Sequence, residues 1–172
     1  MTRTDSIRPV TREELPLLRE LERASGEVFR QLGMVEIADE EPLALSDLEH
    51  YEAAGRAWVL SDATGLAGFL LAEPVDVYLH IAQVSVHPRV ARQGLGRVLI
   101  EHLAGIGATA GVHGLSLTTY ADVPWNAPYY RRLGFVELRE RDWGPGLRVI
   151  REAEKNAGLD RWPRVAMVRP LR

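Results

Sequence analysis

There is no cysteine in the 172 residues, which removes disulfides, thiolate metal sites and a cysteine nucleophile together. A basic excess is missing too. The formal net charge is −3, whereas a nucleic-acid binder needs an overall or local surplus of Lys and Arg. The apolar runs, such as residues 66–72, fall far short of the ~20 residues that cross a bilayer. The opening Met1-Thr-Arg-Thr-Asp5 lacks the apolar stretch of a signal peptide. No repeat, linker or low-complexity segment interrupts the chain. Together these absences lead to the expectation of a cytoplasmic protein with neither nucleic acid nor membrane as partner.

What is present is the composition of a folded domain. Hydrophobic residues make up 46% and charged residues 26%, which excludes disorder, and the length fits one domain over residues 1–172. Ile7-Arg-Pro-Val10 reads as a short strand. Thr11-Arg-Glu-Glu14 has capping-box spacing, and Leu15, Leu18, Leu21, Val28, Phe29 and Leu32 continue a helical stripe to Gly33. Residues 34–42 lack periodicity and read as an acidic loop. Ser46-Asp-Leu-Glu49 opens a second helix that Gly55 ends. Residues 56–61 and 66–73 form a hairpin about the turn Asp62-Ala-Thr-Gly65. A strand over 113–119, a short helix over 129–133, strand over 135–139, a helix over 147–157 and a last strand over 164–168 complete an α/β reading with a mixed sheet.

The stretch with the most information runs from His80 to Gly111. Residues 78–87 form a central strand in which Leu79 and Ile81 share one alternation phase and Val84 and Val86 the other. Such a slip follows either from a β-bulge near Ala82–Gln83 or from burial on both faces. Beyond it Leu95, Val98, Leu99, Leu103 and Ile106 lie on one helix face. Gly94 and Gly96 strip side chains from the first turn of that helix, so its unpaired N–H groups present an anion site of the phosphate-binding kind. The Gly pair fits neither a dinucleotide fingerprint, because Leu99 stands at the third position, nor a P-loop, because no Lys follows. Residues 105–110 fit the fingerprint but follow a helix, and read as small-residue packing.

Taken jointly, Val84-Ser-Val-His-Pro88, Arg92-Gln-Gly-Leu-Gly-Arg97 and Asn126-Ala-Pro-Tyr-Tyr-Arg-Arg-Leu-Gly-Phe135 resemble the GNAT superfamily of acyl-CoA-dependent N-acyltransferases. The strand and helix order is similar from Ile7 onward. The resemblance implies a mixed α/β fold, with a central splayed β-sheet flanked by helices, and acetyl-CoA as co-substrate. It implies that backbone groups of Val84, Ser85 and Val86 pair with the pantetheine arm. Likewise Arg92, Gln93, Gly94, Leu95, Gly96 and Arg97 would cradle the pyrophosphate, and Asn126 would hold the arm or fix a helix start. Tyr130, four residues before Gly134, matches the family's tyrosine near the cofactor sulfur. A phenol of ordinary pKa about 10 can protonate a leaving thiolate. Tyr129 is assigned to packing or cofactor contact.

The base departs from the family pattern. Many relatives carry Glu just ahead of the Val-x-Val, where this chain has Ala82 and Gln83. His80 is the nearest titratable group, with an ordinary pKa of about 6.5 that suits a base acting through water; the alternative is a strand histidine bonded for structure. Tyr120 and Asp122 are further candidates for the same slot. His50, His102 and His113 read as solvated, the five histidines lack metal-site spacing, and no metal is expected. Trp58, Trp125, Trp143 and Trp162 read as core or pocket wall, and Arg131 and Arg132 as a solvated helix face. Residues 36–41 either attract a cationic amine or are simply solvated. Residues 144–162, longer than the connection in many relatives, form either a cap on the acceptor site or a homodimer contact. The expected activity is acetyl transfer to a primary amine of a small molecule by direct attack. Its alternatives are an acyl-CoA sensor with a degenerate site and a GNAT acting on a protein amine.

Overall fold

Thr11 starts the first helical segment as its spacing requires: the Thr11 N–H donates to Glu14 Oε2 at 2.9 Å, one half of a capping box. Arg8 grips the same carboxylate with both terminal nitrogens, at 2.9 and 2.6 Å. That pairing, more than the cap, holds the Glu14 carboxyl down to about 2. In this computed structural model residues 6–172 are described, and Met1–Asp5, read above as lacking a leader, lie outside them.

Seven strands, β1 (Ser6–Pro9), β2 (Ala57–Asp62), β3 (Gly65–Val75), β4 (Tyr78–Val86), β5 (Gly114–Tyr120), β6 (Val136–Glu137) and β7 (Arg164–Pro170), hydrogen-bond in the order β1-β2-β3-β4-β5-β7-β6. The β4–β5 pair is parallel, and β1–β2, β2–β3, β5–β7 and β6–β7 are antiparallel, so the sheet is mixed as expected. Helices α1 (Leu15–Gly26), α2 (Val35–Ala38), α3 (Leu45–Ala53), α4 (Leu95–Ala110), α5 (Ala127–Arg132) and α6 (Pro145–Asn156) accompany it. Among the described residues no helix is long and apolar enough to cross a membrane.

The chain divides into two compact units, the first of the described residues up to Ala72 with Ala82–His102, the second of Glu73–Ile81 with Leu103–Arg172. In the first, Leu15, Leu18 and Leu21 of α1 pack with Leu48 of α3, Val59 of β2 and Phe69 and Leu71 of β3. The sequence reading needs three corrections here. Residues 35–38 form a single helical turn where a loop was expected; four residues are too few for periodicity to register. Helix α3 begins at Leu45 with Ala44 as its cap, which places Ser46 inside the first turn. His102 is half-buried and meets the Trp58 ring edge-on at 6.0 Å, so it is not a solvated side chain.

In the second unit β5 pairs with β7 from Gly114↔Pro170 to Tyr120↔Arg164, and β4 opens its parallel pairing at Tyr78↔Gly114 and carries it to His80↔Ser116. Leu79, His80 and Ile81 are buried in succession, so here the strand is covered on both faces. A register irregularity in the neighbouring pair lies between Leu60 and Ser61 of β2 against β3. The strand expected over 135–139 shortens to Val136–Glu137. Gly107 does serve packing: a Cβ there would meet Leu171 Cδ1 at 2.8 Å and Val112 Cγ2 at 3.1 Å.

Helix α6 is capped from far along the chain. Asp76, in the β3–β4 turn and left-handed at φ 54°, accepts from the Gly146 N–H at 2.8 Å and the Leu147 N–H at 3.0 Å. The carboxylate thus takes the place of a local cap at the positive end of the helix. Gly144 permits the approach, since a Cβ there would fall 2.4 Å from Asp76 Cγ. Leu147 then packs with Val75 and Ala166, bordered by Leu138, Trp143 and Ile150. Replacing Asp76 by Ala is expected to cost about 1–2 kcal/mol in a urea unfolding titration; an unchanged midpoint would show that the cap contributes nothing.

Candidate active site

At the end of β4 the chain turns at Pro88–Val90 and reaches α4 through residues 91–94. Arg92, at φ 62°, and Gly94, at φ 79°, are both left-handed, a conformation that costs an Arg of order 1 kcal/mol and Gly almost nothing. The Gly94 carbonyl accepts from the Val98 N–H at 3.1 Å, so Leu95, Gly96 and Arg97 form the first turn and their N–H groups have no acceptor within the helix. Arg92, Gln93, Gly94 and Arg97 are exposed, while the Leu95 side chain, 3% exposed, roots the loop in the core. Open amides at the positive end of a sixteen-residue helix, beside two arginines, fit a pyrophosphate.

Val84 and Val86 are half-buried and Ser85 is buried. The Ser85 Oγ accepts from Gln83 Nε2 at 2.8 Å, so the glutamine that stands in the family's acidic position is engaged with its own strand.

In the second unit Asn126 stands at the head of α5, its carbonyl accepting from the Tyr130 N–H at 3.0 Å. Its side-chain Oδ1 is buried with no hydrogen-bond partner. A buried acceptor left unpaired costs of order 1–3 kcal/mol, and a pantetheine amide N–H is the kind of donor it lacks. Tyr130 is buried against Phe135 at 5.8 Å and Tyr129 at 5.4 Å, both edge-on. Burial first, and the neighbouring Tyr129 second, push its phenol well above the ordinary range, so it holds its proton more tightly than a free phenol does. Tyr129 also lies under the Arg132 guanidinium at 5.7 Å.

His80 is 3% exposed, and its Nδ1 lies 2.9 Å from Ser116 Oγ. Burial lowers its pKa to about 4, against the opposing pull of Glu154 and Asp76. A neutral imidazole walled into the sheet is a weak base with little access to a proton. Tyr120 is likewise committed: the Arg164 guanidinium sits 4.5 Å over its ring and Trp162 meets its edge at 6.3 Å. Asp122 is exposed.

The sequence reading missed a polar cluster beside these residues. Glu154 Oε2 accepts from Thr118 Oγ1 at 2.6 Å and from Arg164 at 2.9 Å, and Glu154 Oε1 accepts from Arg151 at 3.0 Å. Arg151 reaches Asp160 as well, at 3.1 Å. The i,i+3 spacing of Arg151 and Glu154 was the one local signal available; Thr118 and Arg164 join only through the fold. Among the described residues no group of three His, Asp or Glu could hold a metal ion.

His80 makes stability depend on pH. Its folded pKa, about 4, lies below the unfolded value of about 6.5, so the stability it adds is complete above pH 6.5 and is lost as the pH falls toward 4. The span is worth about 3 kcal/mol. His80→Asn, which keeps a partner for Ser116 but does not titrate, is expected to remove most of that loss between urea midpoints at pH 7 and pH 4.5; parallel curves would contradict it.

The model of the Acetyltransferase (GNAT) family matches residues 16–135. Among solved structures, the ribosomal-protein-S18-alanine N-acetyltransferase of Escherichia coli is 20% identical at a TM-score of 0.66, covering 98% of this chain and 94% of that one. The PaiA N-acetyltransferase of Thermoplasma acidophilum, in complex with coenzyme A, is 14% identical at a TM-score of 0.68, covering 97% and 99%. N-acetylglutamate synthase of Neisseria gonorrhoeae, complexed with coenzyme A and N-acetyl-glutamate, is 16% identical at 0.73, covering 100% of this chain but 36% of that one. These likenesses agree on the fold. With the family model spanning most of its length and the anion-binding turn inside the matched range, the chain belongs to the GNAT family of acetyl-CoA-dependent acetyltransferases.

Proposed function

We propose that this protein, acting as one catalytic domain in the cytoplasm, transfers the acetyl group of acetyl-CoA to the primary amine of a small molecule by direct attack. The observation that carries the reading is the exposed loop 92–97, which turns through left-handed Arg92 and Gly94 into the bare first turn of α4. Acetyl-CoA supplies an acetyl thioester, whose carbonyl carbon gains a bond to the amine nitrogen as the bond to sulfur breaks. Residues 92–97 hold the pyrophosphate, Val84, Ser85 and Val86 offer backbone groups to the pantetheine arm, and Asn126 accepts one of its amide protons. Tyr130, which carries its proton at neutral pH as any phenol does, gives that proton to the departing thiolate. With no cysteine in the chain, no enzyme thiol is available to carry the acetyl group.

The attacking amine must be unprotonated. Neither Ala82 nor Gln83 titrates, and His80 is neutral and buried, so the amine loses one proton to solvent before it attacks; the second leaves nitrogen for solvent as the amide forms, and solvent returns a proton to the Tyr130 phenolate. The same absence of an acidic base favours the second reading, a sensor that binds acyl-CoA without turnover. The Escherichia coli neighbour, named for an alanine of a ribosomal protein, keeps a protein amine as a third acceptor class.

A thiol-release assay with acetyl-CoA against small amines and short peptides separates these readings. One small amine should give turnover, and Tyr130→Phe, which keeps the ring packing, should lower kcat by about 10²–10⁴-fold. Tight CoA binding with no turnover on any amine would establish the sensor, and turnover confined to peptides the protein acceptor. The rate should rise with pH as the amine itself loses its proton. A separate acid limb that disappears in His80→Asn would instead make His80 the base.

A further inference from the structure

Arg89, in the turn between β4 and the anion-binding loop, is unlike its neighbours Arg92 and Arg97. All three are exposed, but Arg92 and Arg97 carry no ion pair among the described residues. The Arg89 guanidinium is committed, donating to Asp62 Oδ2 at 2.7 Å, to Asp62 Oδ1 at 3.1 Å and to the Leu66 carbonyl at 3.1 Å. Both partners lie at the tip of the β2–β3 hairpin. The bridge is partly shielded, the two side chains being 29% and 14% exposed, and a two-pronged Arg–carboxylate pair fixes orientation as well as distance.

The same turn is tied down twice more. The His87 N–H donates to the Ala67 carbonyl at 2.8 Å, and the Arg89 N–H donates to His87 Nδ1 at 3.1 Å. Asp62 is itself held, accepting from the Thr64 N–H at 2.8 Å, and the Arg89 bond keeps its carboxyl down at about 2. Three residues after Arg89 the backbone enters the left-handed conformation at Arg92, just ahead of α4.

Resting on the assignment of residues 92–97 to the cofactor pyrophosphate, we infer that Arg89 is a positioning residue: bridged to Asp62 and Leu66, it anchors the start of the anion-binding loop to the β2–β3 hairpin and sets CoA affinity without touching the ligand. An arginine at the mouth of such a loop would ordinarily be read as a phosphate contact. Here all three of its bonds run to the hairpin.

The test is calorimetric titration of wild type, Arg89→Ala, Arg89→Lys and Asp62→Asn with CoA and with pantetheine, which has the same arm but no phosphates. Arg89→Ala should weaken CoA about tenfold, the equivalent of one charge-assisted bond in a partly shielded site, and leave pantetheine unchanged. Arg89→Lys should fall between, keeping the charge but losing the fork. Asp62→Asn, which retains the acceptor for Thr64, should weaken CoA in the same sense, and adding it to Arg89→Ala should cost little more. In turnover the loss should appear in KM for acetyl-CoA and not in kcat. Unchanged CoA binding, or equal weakening of CoA and pantetheine, would overturn the proposal. A wild type that binds CoA no more tightly than pantetheine would overturn the pyrophosphate assignment and the proposal with it.

Discussion

An α-helix cannot satisfy the N–H groups of its own first turn, and in α4 that turn follows an exposed loop. The amides of Leu95, Gly96 and Arg97 need acceptors from outside the helix, and the acceptor we propose is the cofactor pyrophosphate. The features around that turn hold it in place. Leu95 is buried, so the helix start cannot drift; Arg92 accepts an unfavourable backbone conformation to turn the chain; β4 and its terminal turn are bonded to the hairpin behind them. Of these only the Arg92 conformation is a cost; the buried leucine and the bonds to the hairpin offset it.

The second unit solves a different problem with the same physics. Residues 144–162 add a helix whose N-terminus has no local capping side chain, and Asp76 supplies one across 70 residues of sequence. The helix then sets Glu154 against Thr118 and Arg164, filling one region of the unit with paired charges. Pairing matters there because an unmatched charge in a shielded place costs several kcal/mol. His80 lies within the field of Glu154 and Asp76, yet burial still lowers its pKa; desolvation is the stronger effect.

What the sequence made legible was local. The capping box at Thr11, the turn Asp62-Ala-Thr-Gly65 and the glycines before α4 all act within a few residues, and each stands where its spacing put it; of the expected apolar face of α4, Leu95, Leu99 and Leu103 are buried, but Val98 is exposed and Ile100 takes its place in the core. The motifs around Val84, Arg92 and Asn126 carried the family. Contacts made only by folding were not legible. Asp76 as a cap for α6, Arg89 as a strap and the Thr118–Glu154–Arg164 cluster join residues 10 to 71 positions apart. His80 shows the limit most clearly, since identity and ordinary pKa suggested a base, while its burial beside Ser116 depends on strands that meet only in the folded sheet.

The central claim is that the first turn of α4 and the backbone of Val84 to Val86 receive acetyl-CoA. Residue-resolved amide hydrogen exchange, with and without CoA, addresses it most directly, because a bound acceptor slows exchange at the amides that donate to it. The account predicts that CoA slows exchange at Leu95, Gly96 and Arg97, at the loop ahead of them, and at Val84 to Val86, with far smaller effects at α3 and α6. Saturating CoA that left the 92–97 amides exchanging at their free rates would contradict it.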